Sequence, residues 1–154
     1  MERSHLLSIN VSEIMGVRKV LVVEKDITLQ NFWISVFEEF PLSFEIDWAS
    51  SVEEFETAIR RAKAQGGIYD FIICDIFLSG KRTGIDLWRE YRESSEYFVL
   101  TSSISPRKYD EMLARDAGLR PMLLAQPLDP RVCAETIDYL LHYSRKNRDE
   151  RIQA

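Results

Sequence analysis

The chain has 154 residues, a formal net charge of −5 and an apolar fraction of 45%, which is the composition of one soluble globular domain. The acidic balance is opposite to the basic footprint of nucleic-acid binders, no apolar stretch approaches a membrane span, and no secretion signal is recognisable. We therefore expect a cytoplasmic protein with no nucleic-acid or membrane partner. The two cysteines, Cys74 and Cys133, form neither a disulfide framework nor a metal-binding spacing.

Strand-like and helix-like segments alternate along the first half of the chain. Residues 19–23 form a continuous aliphatic run, typical of a strand covered on both faces. Apolar residues then recur at helical spacing over 29–40, and the proline that follows predicts the end of that helix. Residues 44–49 alternate like a short strand. Ser51 and Glu54 predict a capping box that opens a second helix, which ends at the next glycine pair.

The second half continues the alternation. Further strands are predicted at 69–74, 97–100 and 122–125. Helices are predicted to begin near Gly84, at Ser105-Pro106 and at Asp129-Pro130, and the second of these to end at Gly118. Five successive βα units imply an α/β fold, a doubly wound five-stranded parallel sheet with helices on both faces.

These units occupy residues 18–143. Residues 1–17 form an N-terminal extension whose apolar side chains suit a short amphipathic helix, a partner-binding arm or a solvated extension. Residues 144–154 are polar, which indicates a frayed helix end or a disordered tail. Tyr139 and Tyr143 lie four residues apart in the final helix and predict an interface on its outer side. The predicted inward stripe of that helix is Val132, Cys133, Ile137, Leu140 and Leu141.

Polar residues follow several of the predicted strands. Asp75 closes the third strand, Glu24 and Lys25 follow the first, Thr101 ends the fourth and Gln126 follows the fifth. Because the carboxyl ends of parallel strands meet at one edge of a sheet, these side chains are expected to line one crevice.

This arrangement resembles the receiver domain of response regulators in two-component signalling, over roughly residues 18–143. The segment 75–87 is similar to the phosphorylation loop of that family. The resemblance implies a flavodoxin-like (βα)5 topology. It also implies the following roles: Asp75 as phosphoacceptor of a histidine kinase, Thr101 and Gln126 as contacts of the phosphoryl group, and Glu24 with Asp75 as ligands of Mg²⁺.

Two positions depart from the family pattern. Lys25 occupies the position of the second acid, usually a direct metal ligand, and Asp26 is a weak substitute because it begins a helix. Gln126 replaces a lysine, so a hydrogen-bond donor remains without its charge. We therefore expect weak or absent Mg²⁺ binding. The Lys25 ammonium is expected to contact Asp75 and to act as an internal countercharge.

The leading hypothesis is a stand-alone receiver-like protein of phosphorelay signalling, which is not an enzyme and acts by protein–protein contact. The alternative is a phosphorylation-independent adaptor with the same fold. A phosphatase that uses an aspartate nucleophile is a weaker alternative, because its second acid would fall at Phe77. The candidate partners are a histidine kinase, another signalling protein and a second copy of the chain.

Overall fold

A computed structural model describes the backbone of residues 16–116, 118 and 120–153, and side chains as far as residue 142 within those ranges. The described residues form one sheet of five parallel strands in the order β2-β1-β3-β4-β5. The strands are β1 (Arg18–Val23), β2 (Phe44–Ala49), β3 (Tyr69–Asp75), β4 (Ser95–Ser102) and β5 (Met122–Ala125). The predicted fold class is confirmed. Most of the N-terminal extension, residues 1–15, lies outside the described residues.

Five α-helices of the described chain cover the two faces of this sheet. They are α1 (Ile27–Glu38), α2 (Val52–Ala64), α3 (Gly84–Tyr91), α4 (Pro106–Met112) and α5 (Pro130–Gln153). One apolar cluster lies between the sheet and α1 with α5, and the other lies between the sheet and α2, α3 and α4. This two-sided cover explains the unbroken apolar runs of the central strands. No helix in the described part of the chain has the length and apolar character to span a membrane.

The predicted capping box at Ser51 and Glu54 is only half formed. Ser51 caps α2 by accepting the backbone N–H of Glu54 at 3.1 Å, but the Glu54 carboxylate accepts the N–H of Ser50, at 2.9 Å, instead of that of Ser51. A reciprocal box is found at α3. The Thr83 hydroxyl accepts the N–H of Asp86 at 3.3 Å, and the Asp86 carboxylate accepts the N–H of Thr83 at 2.8 Å.

Helix α4 ends at Met112, so the predicted end at Gly118 was wrong. The Arg89 side chain of α3 donates a hydrogen bond to the Met112 carbonyl at 2.9 Å and another to the Asp116 carboxylate at 2.7 Å. The guanidinium thus satisfies a carbonyl that one more helical turn would otherwise pair.

Helix α5 packs on the sheet with most of its predicted stripe. Cys133 and Ile137 are almost fully buried, but Val132 is 51% exposed, so its assignment to the stripe was wrong. Val132 lies one residue away from the buried row, on the flank of the helix. Tyr139 is 60% exposed, on the outer side as expected, and the Tyr143 side chain lies outside the described residues. The backbone of α5 continues as helix to Gln153.

The start of α3 lies directly against the end of β3. The Gly84 N–H donates to the Ile76 carbonyl at 2.8 Å. A Cβ atom at position 84 would lie 2.4 Å from the Asp75 carbonyl oxygen and 3.0 Å from the Ile76 Cα. Both obstacles are backbone atoms, so no side-chain rotation relieves the overlap. Gly84 therefore fixes the distance between α3 and the strand that carries Asp75.

We expect Gly84→Ala to lower the free energy of unfolding by about 1–3 kcal/mol, the usual effect of overpacking a buried site. Urea unfolding followed by circular dichroism measures this. Gly67→Ala is the matched control, because a Cβ atom there meets nothing within 4 Å. Equal stability of the two variants would contradict the assigned role of Gly84.

Candidate functional site

The strand register brings the predicted site residues to one edge of the sheet. Asp75 lies opposite Thr101 in the pairing of β3 with β4. Val23 pairs with Cys74, so Glu24 follows at the level of Asp75. Gln126 comes directly after β5, with its N–H donating to the Ser102 carbonyl at 2.8 Å. Adjacent strands lie about 4.8 Å apart, so this edge forms one crevice centred on Asp75.

Asp75 is half-buried at the floor of this crevice. Burial raises the pKa of its carboxyl group, because a poorly solvated site disfavours the charged form. The N–H of Phe77, which donates to Asp75 Oδ1 at 3.0 Å, opposes that rise. A hydrogen bond from Glu24 and the charge of Lys25 also lower the pKa of Asp75.

Glu24 is the most deeply buried acid of the site, with 4% of its surface exposed. Its Oε1 accepts the N–H of Asp26 at 3.0 Å. Burial raises the pKa of the Glu24 carboxyl group, and the neighbouring charge of Asp75 raises it further. The hydrogen-bonding interaction between the two carboxyl groups raises the pKa of Glu24 and lowers that of Asp75.

Lys25 and Asp26 take different directions after β1. Lys25 is exposed and makes no ion pair with any described residue, so the expected direct contact with Asp75 is absent. Its charge is nevertheless near enough to lower the pKa of Asp75. The Asp26 carboxylate caps α1, where it accepts the N–H of Thr28 at 2.9 Å and its hydroxyl at 2.6 Å. Asp26 is thus committed to the helix.

Two hydrogen-bond donors on the other side of Asp75 have no acceptor. Thr101 is 2% exposed, and its hydroxyl makes no hydrogen bond within the described chain. The Gln126 Nε2 atom is buried and likewise has no partner among the described residues. The Gln126–Pro127 bond is cis. A buried donor without an acceptor, such as the Gln126 amide, is rare in folded proteins, and it makes this side of the crevice a candidate place for an anion.

The loop from β3 to α3 is fixed at both of its ends. Asp75 holds the near end through the Phe77 N–H. At the far end, Arg82 bonds Glu56 of α2 at 3.0 Å and also pairs with Glu90 of α3. A charged pair between partly exposed groups contributes little alone, but this pairing joins one loop residue to two helices. The loop is therefore anchored beside the crevice.

Exposed apolar residues flank the crevice, and the sequence reasoning did not assign them a role. Ile27, the first residue of α1, is 69% exposed, and Phe77 is 48% exposed two residues after Asp75. Large apolar residues in a polar loop are the signal that could have identified them. We refer to the exposed side chains of Ile27 and Phe77 together as the apolar rim.

The raised pKa of Glu24 predicts a pH-dependent stability. An acid with a raised folded-state pKa destabilises the fold once it ionises, so its unfavourable contribution is present at neutral pH and is lost below its ordinary value of 4.5. We expect Glu24→Gln, which keeps an oxygen for the Asp26 N–H, to raise the free energy of unfolding at pH 7 by on the order of 1 kcal/mol. The gain should vanish near pH 4.

Chemical denaturation of both proteins from pH 4 to pH 8 measures this difference. The control is Glu38→Gln, which replaces an exposed acid of α1. We expect this substitution to change the free energy of unfolding only slightly at every pH. A Glu24→Gln protein that is less stable than the native chain at pH 7 would refute this account of the carboxyl pair.

Comparison with known proteins places this geometry in a known architecture. No protein-family model matches the sequence, and no curated protein matches it. Solved structures do match. A CheY-like receiver domain protein from Methanospirillum hungatei JF-1 has 16% identity and a TM-score of 0.64, covering 86% of this chain and 99% of that one.

Two further structures agree. A two-component response regulator from Clostridium difficile has 21% identity and a TM-score of 0.63, with 81% of this chain and 96% of that chain covered. The chemotaxis response regulator CheY4 of Vibrio cholerae has 21% identity and a TM-score of 0.58, with 81% and 99% covered. At these identities the likeness establishes the architecture. The chain has the fold of CheY-like response-regulator receiver domains.

Proposed function

We propose that this chain is a receiver-like signalling protein in which Asp75 accepts a phosphoryl group. It acts by contact with other proteins, its phosphoryl donor being a histidine kinase or another signalling protein, and it is not an enzyme. The fold it shares with response regulators supports the signalling role. Fold alone does not assign a function, so the proposal depends on the residues around Asp75.

The observation that carries the proposal is the pair of unengaged donors beside Asp75. The Thr101 hydroxyl and the Gln126 amide have no acceptor among the described residues, and both follow or end strands on the same side of Asp75. A phosphoryl group on the carboxylate would bring three acceptor oxygens to these donors. In a site that never binds an anion, these donors would stay without a hydrogen-bond acceptor, which is unfavourable.

The apolar rim supports recognition by a protein. Ile27 and Phe77 expose large apolar side chains at the two loops that border Asp75. A small phosphodonor needs no such surface, whereas a protein donor buries apolar and aromatic side chains at the centre of its contact. We therefore place the docking of the phosphoryl donor protein on this rim.

A phosphorylation-independent adaptor is the competing function. It is favoured by the hydrogen bond between Glu24 and Asp75, because this bond partly satisfies the carboxylate without any modification. In that case the rim would bind its partner in the unmodified protein. The two functions differ in whether Asp75 is ever modified.

We expect the full chain, incubated with acetyl phosphate in buffer containing Mg²⁺, to gain the mass of one phosphoryl group. Intact-mass spectrometry measures the gain, and alkaline treatment should remove it because an acyl phosphate is labile. Asp75→Asn is the control, since its amide oxygen is a much weaker nucleophile, and it should gain nothing. An unmodified native chain, or equal modification of the Asp75→Asn protein, would favour the adaptor.

The predicted interface on α5 remains a prediction. Tyr139 exposes 60% of its surface on the outer side of the helix, and exposed tyrosines are frequent anchors of protein contacts. We expect the Tyr139→Ala, Tyr143→Ala variant to stay folded and to lose self-association, measured by sedimentation velocity against the native chain. Unchanged association would move the interface away from α5.

A further inference from the structure

We propose that Asp75 is phosphorylated without a divalent cation, and that the Lys25 ammonium supplies the positive charge in its place. This inference rests on the proposed function, because it takes Asp75 as the phosphoacceptor. It adds the identity of the positive charge that stabilises the phosphoryl group during transfer to Asp75.

The acids around Asp75 do not fit the divalent cation that the receiver fold implies. Mg²⁺ requires several hard oxygen ligands in near-octahedral geometry. The Asp26 carboxylate is bonded to Thr28 as the cap of α1, and Glu24 is bonded to the Asp26 N–H. The described residues contain no group of three or more acids, histidines or cysteines that could hold a metal. Lys25 places a cation where a further oxygen ligand would be needed.

Lys25 is positioned to supply the positive charge that a divalent cation would bring. It follows Glu24, which lies at the level of Asp75 on the neighbouring strand, and its ammonium acts on the Asp75 carboxyl electrostatically. It makes no ion pair with a described residue, so it is not consumed by a structural contact. A phosphoryl group attached to Asp75 would add negative charge to the same crevice, where the Lys25 charge already acts on the carboxyl group. A cation fixed beside the position where negative charge develops stabilises that charge in the transition state.

The remaining donors complete the anion site from the opposite side. Thr101 lies opposite Asp75 on β4, and Gln126 brings a buried amide nitrogen without a partner. Both are neutral, so they can orient phosphoryl oxygens but cannot neutralise them. The positive charge of the site therefore depends on Lys25, among the residues that surround Asp75 in the described chain.

With acetyl phosphate as the donor, the chemical step needs no further reactant. An Asp75 carboxylate oxygen attacks phosphorus, the bond from phosphorus to the acyl oxygen breaks, and the donor leaves as its carboxylate with the bonding electron pair. No proton is transferred. The charge on the equatorial oxygens is met by the Lys25 ammonium and by hydrogen bonds from Thr101 and Gln126.

The test is the rate of Asp75 phosphorylation by acetyl phosphate, followed by intact mass in Mg²⁺ and in EDTA. We expect the native chain to react at the same rate in both. Lys25→Met should lower the rate about a hundredfold in both, the usual effect of removing one group that stabilises transition-state charge. The matched control is Lys81→Met, which removes an exposed lysine of the neighbouring loop and should leave the rate unchanged.

Replacing Lys25 by an acid should make phosphorylation of Asp75 depend on Mg²⁺. We expect Lys25→Asp to react only in Mg²⁺, and Lys25→Asp with Gln126→Lys to react fastest in Mg²⁺ because both charge elements are then supplied. The two substitutions act on one developing charge, so their effects need not add. Thermal melting of each variant verifies that it is folded.

The outcomes separate this inference from the proposed function. A native chain that reacts in Mg²⁺ and not in EDTA would overturn the inference and leave the proposed function standing. Equal rates of the Lys25→Met and native proteins would do the same. A native chain that reacts in neither buffer would overturn both. NMR titration with Mg²⁺ is an independent measurement. A chemical-shift change of the Asp75 amide that saturates at low-millimolar Mg²⁺ would contradict the claim that Lys25 replaces the metal.

Discussion

The parallel register of β1, β3 and β4 is the constraint on which the site depends. It sets Glu24 and Thr101 on either side of Asp75. The register in turn depends on burial of both faces of β3, whose Ile72 and Ile73 are almost fully enclosed. A slip by one residue would exchange these two faces, which the packed helices forbid. The site is thus a by-product of core packing.

The charged and neutral groups around the Asp75 carboxylate lie on different sides of it. Glu24 and Asp75 share a poorly solvated crevice, where burial raises the pKa of both carboxyl groups and the charge of Asp75 raises that of Glu24 further. Lys25 adds a cation at the mouth of the crevice, and Gln126 adds a neutral donor at its inner side. The cation therefore stands on the β1 side of Asp75, and the neutral donors stand on the β4 and β5 side. An anion bound here would be attracted by the Lys25 charge toward the β1 side of the crevice.

The sequence was sufficient to predict the architecture, because the spacing of apolar residues identifies each strand and helix and turn residues mark where it ends. It was insufficient where a distant side chain decides the outcome. Helix α4 ends at Met112 because Arg89, 23 residues earlier, takes its carbonyl, and no local pattern contains that contact. At the site, the strand ends predicted a common crevice around Asp75. The direction taken by Lys25, and the commitment of Asp26 to Thr28, depend on backbone geometry that residue types alone do not encode.

The close approach of Gly84 to the end of β3 has a consequence for evolutionary constraint. A side chain at this position collides with backbone whether or not Asp75 is ever modified, so selection for folding alone retains glycine there. Thr101 and Gln126 are different, because their donors serve no hydrogen bond in the described part of the fold. In descendants of this chain that abandon signalling but remain folded, position 84 would stay fixed while positions 101 and 126 drift. Drift at those two positions, with glycine retained at 84, would mark the loss of phosphoryl chemistry.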